Sequence, residues 1–453
     1  MPSEPDTTFA TSTHPMLAPD DTARDERWFD RYGWPTFFLA LIVLTGMSYS
    51  LFWNPLFYHS PNWITPADLW NTFRASQYVI WGGEGQIYNN PAAFQTFPGI
   101  AILLSPVAKV AGVLHLTESF AVILPRPTTW WLLGPVQLAL GSTLLYPLNA
   151  WARRLQVTSR RRVVLLAVEA ALIWPSVALW GHPEDALSVA LALYGLLAVL
   201  EHRWLRFVVL FGLATLVQPL VLLVLPLCLA YVPLKHWLPV GSAIALPSVV
   251  ALLAPLIQEW GPTSRLLLRQ PNYFANNHPT PWASLAPVID PPHTTVVHTL
   301  KYVKLSNGHH RAIEVAKSVH TLPVVAAGPG RIIAVVIACS LGVGLMRLKA
   351  TLPQVLWFAS LALSMRCVFE PVMVPYYLLP GLALTVLVTS STTRIRFTIA
   401  AGAAGLCALL SYWHLGEWPY YVLMLLPLAV TLVVAWPATP PSTPHAAEAP
   451  SPA

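Results

Sequence analysis

The chain has 453 residues, of which 55% are hydrophobic and 10% charged, with a formal net charge of +6. A charged fraction about half that of soluble domains excludes an ordinary soluble enzyme. The basic residues punctuate apolar runs instead of clustering with aromatics, so a nucleic-acid-binding face is excluded as well.

What remains is a multi-spanning membrane protein, and 44 prolines and 19 tryptophans suit one. Proline is tolerated in spans whose neighbours satisfy the freed backbone groups, and tryptophan collects at membrane interfaces. The four cysteines, Cys228, Cys339, Cys367 and Cys407, lie in or beside apolar segments without metal-ligand spacing and read as small core hydrophobes.

Residues 1–33 are rich in Ser, Thr, Asp, Glu and Pro, with no short apolar h-region and no cleavage site. They read as a cytoplasmic tail ahead of an uncleaved first span. Apolar runs then lie near 34–53, 129–150, 163–180, 186–200, 205–216, 219–232, 237–257, 331–346, 352–367, 375–390, 397–412 and 419–436. Twelve spans are expected, several shorter than the roughly 20 residues of a perpendicular crossing. Residues 437–453 are Pro/Ala/Ser low complexity and read as a disordered cytoplasmic tail.

Short basic loops stay in the cytoplasm. The cluster "WARRLQVTSRRR" therefore sits inside, as does the basic stretch before the first span. Parity then makes residues 97–113 a re-entrant or interfacial helix, broken at Pro98 and Pro106 and buried in protein. The Gln218-Pro219 pair splits 205–232 into a hairpin rather than one long helix. The same count keeps Lys235, Arg347, Lys349, Arg394 and Arg396 inside. It puts four polar features outside, at 54–128, 180–186, 258–330 and 366–377, where they converge on one face.

The first of these opens with "ADLWNTFRASQYVIWGG". Leu69, Phe73, Ser76 or Gln77, and Ile80 recur at helical spacing, and Trp70, Arg74, Tyr78 and Trp81 mark the opposite, interfacial face. Asp68 heads this helix, either as an N-cap bonding free N–H groups or as a functional carboxylate. In "GHPED", Glu184 and Asp185 suit the start of a helix, or a pair that binds an acceptor sugar or a cation. No second histidine follows at helical spacing, so no metal is expected.

In "SMRCVFEPVMVPYYLLPG", Arg366 and Glu370 lie one helical turn apart. They pair with each other, or Arg366 forks onto a phosphate with Glu370 holding it. Tyr376 in the same segment is a further donor-binding candidate. Mid-span Glu169 reads as a neutral, hydrogen-bonded group facing the bundle. In 258–330, His278, Trp282 and Tyr273 suit stacking on a sugar or covering a lipid headgroup, or they form a structural lid.

Taken in order, these residues resemble the GT-C superfamily of membrane glycosyltransferases. They are most similar to the polyprenyl-phosphate-mannose-dependent α-mannosyltransferases of phosphatidylinositol mannoside type. Asp68, Gly83 with Tyr88, and "FQTFPG" from Phe94 match that family's acidic residue, Gly-x-x-x-x-Tyr and Phe-x-Tyr-Pro-Pro elements. Phe97 stands for the motif tyrosine and Gly99 for its second proline, and Gln218 replaces the lysine common before the break.

The resemblance implies an all-α bundle of about 12 transmembrane helices over 34–436, with an external amphipathic and re-entrant helical layer. It implies an inverting transfer of mannose at the outer face of the cell membrane, with no cofactor. The donor would be polyprenyl-phosphate-mannose and the acceptor a glycolipid or glycan among membrane lipids. Asp68 becomes the general base. Arg366, with Arg126 or His182, neutralises the leaving phosphate, and Tyr88, Glu184, Asp185, His278 and Trp282 line the cavity. A lipid or solute transporter or flippase is the rival expectation.

Overall fold

The computed structural model describes residues 28–50, 66–88, 94–116, 127–273, 278–304, 310–321, 323–348, 350–411 and 417–437. Arg126, Lys349 and both chain termini lie outside the described residues. A π-helical turn, Phe29–Gly33, leads into α1, Trp34–Ser48. Next come α2 (Ala67–Ile80), α3 (Gly99–Val113), α4 (Pro127–Ser142), α5 (Leu145–Arg154), α6 (Ser159–Trp174) and α7 (Pro183–Leu200). They are followed by α8 (Trp204–Val217), the five-residue α9 (Leu225–Leu229), α10 (Trp237–Gln258) and the short α11 (Trp260–Ser264). After a β-paired stretch, the chain closes with α12 (Gly330–Arg347), α13 (Leu352–Phe369), α14 (Leu379–Ser390), α15 (Arg394–Leu410) and α16 (Glu417–Val434).

This is a mostly helical membrane protein. Five stretches among the described residues are long and apolar enough to cross a membrane: Ser159–Leu179, Pro183–Leu200, Leu234–Gln258, Gly330–Arg347 and Leu352–Phe369. Gly99–Val113, Trp204–Val217, Pro375–Ser390 and Trp418–Val434 are apolar but shorter. The α12 helix carries Cys339 on an exposed face, so only Cys228, Cys367 and Cys407 are the core hydrophobes expected.

Local chemistry explains the breaks. Gln218 adopts an extended conformation (φ −153°, ψ 116°) ahead of Pro219, which ends α8 and starts a 3₁₀ turn over Pro219–Leu223. The expected helix at 97–113 starts after Pro98, but Pro106 does not break it: α3 runs through to Val113. Its small buried residues, Gly99, Ala101, Ala108 and Ala111, let it lie against its neighbours. A Cβ on Gly99 would come 2.5 Å from the Leu216 carbonyl oxygen.

The segment 258–330 is partly β-paired. β1 (Asn272–Tyr273) and β3 (Val288–Asp290) flank β6 (Val324–Val325), while β2 (His278–Pro279) pairs antiparallel with β7 (Val372–Met373). Between them β4 (His293–Lys304) and β5 (His310–Thr321) form an antiparallel ribbon twelve residues long. Its runs of Val and Thr in alternation with polar residues favour strand over helix.

The bundle has two chemically different ends. At one, Asn149 donates to the Asp30 and Arg31 carbonyls, Ser159 to the Asp30 carboxylate, and Arg154 pairs with Glu201. At this end Arg161 also donates to the Thr389, Thr392 and Thr393 carbonyls, and Arg396 to those of Val434 and Trp436. These arginines hold carbonyls at the ends of α14 and α16 and in the turn that precedes α15. The opposite end gathers Asp68, His182, Asp185, Gln218, Arg331, Arg366 and Glu370 through the contacts described next.

Candidate functional site

The α2 helix is amphipathic as its spacing predicts: Leu69, Phe73, Ser76 and Gln77 are buried, while Trp81 is exposed. Asp68 is not its N-cap. Pro66 occupies that position, and Asp68 sits in the first turn with no side-chain cap bond. Its Oδ2 instead lies 3.1 Å from His182 Nε2, across 114 residues of sequence. The side chain is 48% exposed, so its other face is open.

The turn that delivers His182 depends on Gly181. Its φ is +71°, and a Cβ there would fall 2.5 Å from Pro66 Cβ and 2.7 Å from Leu69 Cβ. Glycine alone therefore lets this turn touch the start of α2. His182 then caps α7, whose first turn holds Pro183, Glu184 and Asp185 against the positive end of the helix dipole.

His182 Nδ1 is 2.7 Å from Glu184 Oε1. Both ring nitrogens thus face carboxylate oxygens, which only accept, so both must donate and the ring is an imidazolium. Burial opposes that charge, but Glu184 and Asp68 prevail and push the His182 pKa up to about 10. For Asp68, burial works to raise the pKa, yet the hydrogen bond and charge of His182 hold it below the ordinary carboxylate value. The Tyr376 ring stacks on His182 with centroids 3.6 Å apart and planes at 21°.

Glu184 and Asp185 are buried, 3% and 0% exposed, in the first turn of α7, the helix-start placement that the sequence offered as one alternative. Asp185 Oδ1 accepts from Gln218 Nε2 at 3.0 Å and lies 3.9 Å from Arg366 Nη1. Glutamine at the α8 break therefore ties the end of α8 to the start of α7. Tyr88 is also buried, stacks on Phe94, and donates to the Thr96 carbonyl; Thr96 in turn donates to Gln218. These contacts tie segment 94–96 to the α8 break.

The expected Arg366–Glu370 pair is loose. Nε and Oε1 are 3.8 Å apart, beyond hydrogen-bond distance. Glu370 is held instead by Arg331, whose Nε and Nη2 lie 3.1 and 2.6 Å from Oε1. The Arg366 guanidinium sits 3.3 Å over the Tyr377 ring, a cation–π contact, and its side chain is 14% exposed. Arg331 went unnoticed in the sequence. Its signal is an arginine at the very start of an apolar run.

The segment around β2 clasps this corner. Thr280 donates from Oγ1 to the Glu370 carbonyl and from its backbone N–H to that of Pro371. Trp282 packs edge-on against Phe369, which fits the lid alternative. The backbone of His278 pairs with Met373, while its side chain, like that of Tyr273 and all of Arg126, lies outside the described residues.

Four buried polar atoms here have no hydrogen-bond partner: Glu184 Oε2, Asp185 Oδ2, Glu370 Oε2 and Arg366 Nη1. Among the described residues, no group of three or more His, Cys, Asp or Glu could hold a metal ion. Far from this end, Glu169 is fully buried, but neither of its oxygens finds the hydrogen bond expected. Comparison with protein-family models, with curated proteins and with solved structures returns no match.

Proposed function

We propose that the chain is a membrane glycosyltransferase of GT-C type, with about twelve passes and its site facing outward. It would move a sugar, mannose in the first instance, from a polyprenyl-phosphate donor to a glycolipid or glycan acceptor. One observation carries the reading: a half-exposed carboxylate at the head of an amphipathic helix is tied to His182, while Arg366 and Arg331 lie behind the same wall. Base on one side and cations on the other is what displacement of a phosphate by a hydroxyl requires.

In the proposed step, Asp68 takes the proton of the acceptor hydroxyl as its oxygen bonds to the anomeric carbon from the face opposite the phosphate. The bond from that carbon to the phosphate oxygen breaks, and the electron pair leaves with polyprenyl phosphate. Asp68 is a weak base because of His182, so its proton transfer would come late, as the hydroxyl becomes acidic in the transition state. Arg366, whose buried Nη1 makes no hydrogen bond, would turn it to the leaving oxygens.

Alternation of helix ends supports the pass count. Asp30, Ser159, Glu201, Thr389 and Val434 share one end, and Asp68, Asp185, Gln218 and Arg366 the other. The last turns of α8 and α10 both reach the Asp68 end, Leu216 against Gly99 and Gln258 against Gly85, which supports a return of the chain over 219–232 between them. Purified protein incubated with radiolabelled polyprenyl-phosphate-mannose and total membrane lipid tests the function. Labelled glycolipid is expected; movement of the donor between leaflets of proteoliposomes, without transfer, would establish the transporter instead.

A further inference from the structure

We propose that Glu184 is a positioning residue for Asp68: by accepting the Nδ1 proton of His182 it keeps the ring doubly protonated, aims Nε2–H at Asp68 Oδ2, and leaves Oδ1 to receive the acceptor's proton. This rests on the transferase reading for the identity of the proton donor, but its geometry stands by itself.

The two carboxylates that share the ring differ in kind. Glu184 is 3% exposed and 2.7 Å from the ring, whereas the Asp68 side chain is 48% exposed and 3.1 Å away. The buried, closer partner is the anchor, and the open one is free to react. Tyr376 against one ring face and the Gly181 turn behind it restrict rotation of the imidazole. The charged groups facing His182 are Asp68 from α2 and Glu184 from α7. Asp185, one residue on, is committed to Gln218 and Arg366, and Tyr376 presents its ring face.

A neutral Glu184 would leave His182 with one carboxylate. Losing an opposite charge at hydrogen-bond distance lowers a histidine pKa by about 1–3 units. The ring would then lose its proton within the working range. A neutral ring still donates from Nε2 but no longer carries a charge, so it grips the Asp68 carboxylate less firmly, and transfer would fall through kcat while donor KM stayed in place.

Histidine-ring ¹⁵N NMR on the full-length protein in micelles tests this, with the His182 signal assigned by its loss in His182→Gln. In the wild type, both ring nitrogens should remain protonated from pH 6 to about 9. In Glu184→Gln the midpoint should drop by about 1–3 units, and in Glu184→Asp by less. The alkaline limb of kcat should move with it. A neutral ring at pH 7 in the wild type overturns the proposal even if the glutamine variant does not fold. So does an unshifted midpoint in a folded Glu184→Gln. Because the ring titration needs no turnover, an inactive wild type would sink the transferase reading and leave the charge-setting role of Glu184 to stand or fall on the NMR.

Discussion

Asp68 and Glu184 carry the same functional group to the same imidazole, and exposure alone gives them different work. Asparagine at position 68 still accepts the Nε2–H bond but takes no proton at neutral pH. Asp68→Asn should therefore lower transfer about 10²- to 10⁴-fold while leaving thermal unfolding nearly unchanged. Both are measured on one preparation, and wild-type turnover would remove Asp68 as base. The pH window follows from the two shifts. Asp68, held low, stabilises the fold above its unfolded value and loses that contribution as pH falls through its folded value. His182, held near 10, contributes fully below 6.5 and loses this as pH rises through about 10. At the far corner, Arg366→Lys keeps the charge but loses the planar fork and its stacking on Tyr377. Donor affinity should drop at least about tenfold, read by competition with unlabelled donor; binding unchanged in this variant would move the phosphate to Arg331.

At the scale of elements, the site is assembled from helix ends, the starts of α2, α7 and α12 and the last turns of α8 and α13. The Gly181 turn packs closely against Pro66 and Leu69. Gly181→Ala should destabilise by about 1–2 kcal/mol from the left-handed backbone alone, with a further loss from the overlap. Because the overlap pushes α2 away from His182, transfer should fall more than the melting temperature suggests; unchanged transfer would show that α2 need not touch this turn. The apolar stripe of α2, the α7 start after "GHP" and the α8 break at Gln218-Pro219 were legible because each is a local pattern. The partners of those residues were not. Nothing in the spacing says that Gln218 reaches Asp185, that Tyr88 serves Thr96, or that Glu370 belongs to Arg331. Such pairings are set by how helices from distant sequence pack. The β4–β5 ribbon drew no reading from the sequence, although its alternating Val and Thr are a strand pattern.

For the molecule as a whole, the segregation of arginines bound to helix-end carbonyls from the carboxylate-rich end gives the orientation a test. In a cysteine-free background, single cysteines at Ser284, which is exposed beside Trp282, and at Ser159 sit at opposite ends. An impermeant thiol reagent on intact cells should label position 284 and spare 159. The reverse pattern would invert the map and place the Asp68 end inside.

The carbonyl contacts of Arg161 reach further than orientation. The α6 helix lies in the first half of the chain and α14 in the second, and Arg161 ties them at one end through Thr389, Thr392 and Thr393. The His182–Tyr376 stack and the Asp185–Arg366 pair tie the two halves at the other. A carrier that alternates access must shear one half against the other and would have to undo one set of ties in every cycle. A fixed-site catalyst never does. Joining α6 to α14 covalently at the Arg161 end should therefore arrest a carrier and leave a transferase running, so the mechanics of two fastened halves separate the rival functions without any knowledge of the sugar.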